Sequence, residues 1–184
     1  MVSDAYDDDA PFEFDGQQLV SEKPAKEKLK IGVFVDVQNI YYTTKEAFGR
    51  SFNYRALWQE LSYQGDIEIA NAYAIESNLD GQRKFQDALR HIGFEVKLKP
   101  FIQRKDGSAK GDWDVGITID IMESAEHLDF VVLLSGDGDF ELLMKRIKEK
   151  YQVTTQVVGV DALTANRLKL SVDKFQSIQT GLLN

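Results

Sequence analysis

The chain alternates between two hydrophobic rhythms. Residues 31–35 (IGVFV) are a short apolar run that stops at Asp36, the pattern of a strand buried on both faces. Apolar positions then recur at helical spacing over 39–48 and 54–63. IEIANAYAI (67–75) is rich in strand formers, Asp80 to Ile92 reads as an amphipathic helix stopped by Gly93, and FEVKLK (94–99) alternates like a strand. A polar, basic stretch runs to Gly111, and a helical pattern resumes over 114–126. DFVVLLS (129–135) is the clearest buried strand, followed by helix 139–149, strand 153–160, helix 162–171 and a short closing strand at 173–178. Strands separated by helices imply right-handed βαβ units, so the expected fold is α/β with a mostly parallel sheet covered on both faces. No repeat of fixed period is present.

In such sheets a ligand lies beyond the carboxyl ends of the strands, where the strand order reverses. Several acids fall at these ends. Asp36 follows the first strand, with Asn39 three residues later; Asp137 and Asp139 sit in SGDGDF after the strongest strand; Asp112 and Asp114 stand in KGDWD, at the start of a helix. Each has an ordinary structural explanation, as a turn residue or a helix cap. Together they are harder to dismiss, because carboxylates about 5 Å apart repel by about 3 kcal/mol per pair at an effective dielectric near 20. A cation or raised pKa values must offset that repulsion. Cysteine is absent and there are two histidines, His91 and His127, which read as surface or boundary residues. The cation expected from oxygen ligands is therefore hard, Mg²⁺ or Mn²⁺. The glycines of SGDGDF do not make a dinucleotide loop, since Glu141 stands where a third glycine is needed, and no Walker A pattern occurs.

The net charge of −8 argues against a generally basic nucleic-acid coat, but it is unevenly spread. Residues 1–28 carry a net −5 with no sustained period and no signal-peptide pattern, and are expected to form a flexible acidic tail ahead of a domain at 29–184. No apolar stretch is long enough to span a membrane, and the chain is expected in the cytoplasm.

VDVQN, KGDWDVGITID and LLSGDGDF, in this order and spacing, resemble the NYN domain family of the PIN-like nuclease superfamily, and most of all its LabA-like branch. The resemblance covers about residues 29–180. It implies a PIN-like three-layer fold and an Mg²⁺- or Mn²⁺-dependent ribonuclease in which Asp36, Asp114, Asp137 and Asp139 hold the metal. It also implies that Asn39 orients Asp36 or a water. Asp120 matches a recurrent family acid, but six residues beyond Asp114 it lies about 9 Å along the helix and about 120° around it. Asp112 could substitute for Asp114, and Ser135 could support the site through a hydrogen bond.

An RNA substrate needs positive surface nearby. Residues 97–110 supply Lys97, Lys99, Arg104, Lys105 and Lys110, with Lys145, Arg146 and Lys148 as the next basic group. Trp113, Tyr41 and Tyr42 could stack on unpaired bases; the tyrosines read first as core or helix-face residues. The leading expectation is a ribonuclease for single-stranded RNA. The alternative is a non-catalytic RNA-binding or regulatory module acting in gene-expression control, with a phosphoryl-transfer enzyme a distant third. A homodimer, and a protein that docks on the acidic tail, are the further partners considered.

Overall fold

The structure, a computed structural model, describes residues 27–100, 102, 103, 105 and 109–184. Most of the acidic tail, Arg104 and Asp106 lie outside the described residues. The chain runs β1 (Leu29–Asp36), α1 (Val37–Phe48), α2 (Tyr54–Ser62), β2 (Gly65–Ile75), α3 (Asp80–Ile92) and β3 (Glu95–Lys99). A small hairpin follows, β4 (Ile102–Gln103) and β5 (Ala109–Lys110), then α4 (Asp114–Ser124) and β6 (Phe130–Leu134). The chain ends with α5 (Glu141–Tyr151), β7 (Thr154–Gly159), α6 (Asn166–Ser171) and β8 (Lys174–Ser177). Every expected strand and helix is present. The β4–β5 hairpin was not anticipated, because its two-residue strands are too short to show a period. The helix expected over 162–171 is divided: a 3₁₀ turn occupies Asp161–Leu163 and α6 starts at Asn166.

Six strands form one sheet in the order β3-β2-β1-β6-β7-β8, all parallel. Side chains alternate across it as the pleat requires. Ile31, Val33 and Val35 of β1, with Phe130, Val132 and Leu134 of β6, face one core, closed by Ile40 of α1, Leu57 and Leu61 of α2 and Leu89 of α3. Phe34, Val131 and Leu133 face the other, closed by Ile117 and Ile121 of α4, Met144 and Ile147 of α5 and Leu168 of α6. Burial on both faces explains why β1 and β6 read as unbroken apolar runs.

The order of strands decides where a site can form. From β1 the chain winds outward through β2 and β3, then returns to the other side of β1 and winds outward through β6, β7 and β8. The reversal lies between β1 and β6, and the helices leaving them pack on opposite faces, so a crevice opens beyond their carboxyl ends. Among the described residues no helix is long and apolar enough to cross a membrane.

Phe34 lies in β1 and is fully buried in the second core. Replacing it with alanine is expected to cost about 3–5 kcal/mol in urea denaturation. Leu170→Ala, at a position 86% exposed, should stay within about 0.5 kcal/mol of the parent.

Candidate metal centre

Pairing of β1 with β6 reaches Val35 opposite Leu134, so Asp36 and Ser135 follow side by side. Asp36 caps α1, one oxygen accepting from the Asn39 backbone N–H (3.3 Å). Its other oxygen accepts from the Ser135 hydroxyl (3.2 Å), which in turn accepts from the Asp137 N–H (3.2 Å). The Asn39 side-chain carbonyl accepts from the Gly136 N–H (2.8 Å). Two corners far apart in sequence are thus joined by side chains. Asp137 then caps the short turn Gly138–Phe140 by accepting from the Asp139 N–H (2.9 Å).

The two glycines have a steric reason. A Cβ at Gly136 would press on the Leu163 carbonyl (2.7 Å) and on Thr164, in a segment whose Ala165 N–H donates to the Gly136 carbonyl (3.0 Å). A Cβ at Gly138 would collide with Arg167 and Ala165. The loop is therefore shaped to receive residues 163–167, not a pyrophosphate.

Asp114, the first residue of α4, enters from the third side. One carboxylate oxygen each from Asp114, Asp137 and Asp139 lies within 4.8 Å of the other two. Of the four acids the resemblance assigned to a metal, three make this group. Asp36 stands beside it, near enough to be raised by the charges of Asp137 and Asp112, with both oxygens engaged by Ser135 and Asn39. The Asp36 pKa is raised mainly by burial, against the lowering effect of those hydrogen bonds. Asp114 is pushed up to about 6, by burial first and then by Asp137, Asp112, Asp36 and Asp139.

Three carboxylates offering one oxygen each can hold a metal ion, and a donor set without sulfur or imidazole fits a hard cation. His91 and His127 are exposed and precede β3 and β6, at the opposite end of the sheet.

One neighbour of the acid group escaped the sequence reading. Arg167 lies 3.0 Å from Asp139 and 3.9 Å from Glu141, supplying a positive charge to the rim of the acid group. It lies beyond the carboxyl end of β7, and that position is the signal that could have found it.

Other expected residues are placed differently. Asp120 is outside the three-acid group and binds the Tyr73 hydroxyl (2.7 Å) and Lys97 (2.8 Å). Asp112 is exposed and acts on Asp36 and Asp114 through its charge, while its carbonyl accepts from Lys99 (3.0 Å). The Trp113 indole donates to the Ala74 carbonyl (2.8 Å), its ring tilts against Tyr73 at 5.2 Å, and Lys99 sits 4.4 Å above it. Lys105 is exposed; Lys110 is described only as a backbone position of β5. Tyr41 and Tyr42 are not core residues, being 47% and 63% exposed.

The model of the NYN domain matches residues 30–179. The chain belongs to the NYN domain family. It is 31% identical over 154 residues to the low amplitude and bright protein LabA of Synechococcus elongatus, covering 79% of this chain and 82% of that one. A crystal structure of a protein of unknown function from Vibrio parahaemolyticus superposes with a TM-score of 0.83 at 48% identity, covering 88% of this chain and all of that one. The sheet is thus a family architecture, and the acid group is read within it.

Two predictions concern the metal-free NYN domain. Asp137→Asn removes one repelling charge, so it should raise the melting temperature in EDTA and shrink the rise produced by millimolar Mg²⁺ or Mn²⁺. Equal responses in the two proteins would remove the acid group as the binding site. The second concerns pH. Native Asp114 keeps its proton up to about pH 6, whereas the unfolded chain releases it near the ordinary value of 3.8. Between the two the native state binds the extra proton, so this group lowers stability as pH rises from about 4 to about 6. Melts in EDTA should therefore show a larger loss over that window for the parent than for Asp114→Asn.

Proposed function

We propose that this NYN domain is a metal-dependent ribonuclease that hydrolyses phosphodiester bonds of single-stranded RNA. The observation that carries the reading is the group Asp114–Asp137–Asp139, set where the strand order reverses and destabilised by its own repulsion. Membership of a PIN-like nuclease family supports the same chemistry.

In this proposal Asp114, Asp137 and Asp139 hold Mg²⁺ or Mn²⁺. A bound ion of that kind lowers the pKa of its water and neutralises charge on the phosphate and the leaving oxygen. Asp36 supplies a further negative charge beside the ligands, held in place by the Ser135 hydroxyl and the Asn39 N–H. Asn39 acts as a positioning residue, because its side chain ties the loop carrying Asp137 to α1. Arg167 balances Asp139 and is a further proposed phosphate contact. Lys99, Arg104, Lys105 and Lys110 are proposed phosphate contacts, and Trp113 a wall of the substrate path. Lys99 already reaches the Asp112 carbonyl at the edge of the acids.

A module that binds RNA without cutting it is the second reading, favoured by the Arg167–Asp139 pair, which partly neutralises the cluster without a metal.

Labelled single-stranded RNA incubated with the protein separates the two. Cleavage should require Mg²⁺ or Mn²⁺, stop in EDTA, and fall by about 10²–10³ in Asp139→Asn, the scale of losing one electrostatic stabiliser. RNA bound but never cut under any of these conditions would establish the binding module.

A further inference from the structure

We propose that the groove beside the acid group is a nucleobase subsite, in which Tyr41 and Tyr42 hold an unpaired base of the RNA strand. The inference rests on the reading of the domain as acting on single-stranded RNA, and adds a place for the base.

The groove has a volume of about 390 Å³ and runs between α1 and the start of α3, above the carboxyl end of β2. Gln38, Tyr41, Tyr42 and Lys45 form its α1 wall, at the i, i+3, i+4, i+7 spacing that makes one helix face. Val37, Ile40 and Thr44 take the buried face, so the tyrosines are not there to fill the core. Their rings stand 5.4 Å apart at 76°. A flat base stacked on one ring would meet the other with its edge, a geometry that aromatic pairs favour.

The polar groups suit the same occupant. Gln38 and Gln82 each offer an amide that donates and accepts, as base edges require. Among the described residues, Lys45 is the one charged residue of the lining, and it is the group proposed to meet a flanking phosphate.

Groove and acid group share a wall. Ala74 and Ile75 line the groove; the Ala74 carbonyl holds the Trp113 indole, and Gly111 packs so closely on Ile75 that a Cβ would collide with it. Gln38 is two residues from Asp36, and Tyr41 lies about 8 Å from Asp36 along the helix axis. A strand with a phosphate at the acids would then lay its neighbouring nucleotides toward the tyrosines.

The test uses the full chain carrying Asp139→Asn, which slows cutting, and a labelled oligoadenylate followed by fluorescence anisotropy. Tyr41→Ala with Tyr42→Ala should weaken binding about 5-fold or more, the low end of losing a stacked base, and Tyr41→Phe with Tyr42→Phe should restore it. An abasic nucleotide walked along the RNA should weaken binding at one register by the same factor, and cost nothing further in the double alanine protein. A double alanine protein that melts like its parent and binds RNA equally tightly would overturn the subsite while leaving the ribonuclease reading intact. A parent protein that neither binds nor cuts RNA would overturn both.

Discussion

Parallel pairing of β1 with β6 is the constraint on which the site depends. The last rung, Val35 with Leu134, forces Asp36 and Ser135 to emerge as neighbours although 99 positions separate them. Because the chain winds outward in opposite directions from these two strands, their following helices diverge and leave the crevice open. Asn39 then reaches across to the Gly136 N–H, and the glycine-bearing loop swings Asp137 and Asp139 toward Asp114. None of these acids is placed by its own element alone.

The same arrangement works against stability. Burial and four neighbouring carboxylates hold the Asp114 proton up to about pH 6, and Arg167 offers its counter-charge to Asp139 and Glu141, not to Asp114. The sheet can carry this load because its strands are packed on both faces by two separate apolar cores. Charge repulsion at the carboxyl edge is the expected companion of a group that could hold a cation. Asp120 shows the contrast: an acid on the same helix as Asp114, it is satisfied by Tyr73 and Lys97 and joins a structural network instead.

Much of this was legible in the sequence. The apolar runs 31–35 and, inside DFVVLLS, 130–134 located the central strands because burial on both faces leaves no polar position in them. The abrupt stops at Asp36 and Ser135 marked the edge where chemistry could gather. What stayed hidden depends on three-dimensional packing. Arg167 has no motif and arrives because Gly138 leaves room for it. Lys97, Lys99 and Trp113 looked like a free basic and aromatic strip, yet Lys97 pairs with Asp120, and Lys99 and Trp113 pack together at the Asp112 and Ala74 carbonyls. Tyr41 and Tyr42 fall beside a buried helical stripe, and one step of helix phase separates core from groove.

The central claim is that three acids from separate segments form one metal centre. Anomalous diffraction from crystals soaked in Mn²⁺ tests it most directly. The account predicts a peak bounded by the carboxylates of Asp114, Asp137 and Asp139, lost in crystals of Asp137→Asn. A fully occupied Mn²⁺ peak elsewhere on the molecule, with none between these three side chains, would contradict it.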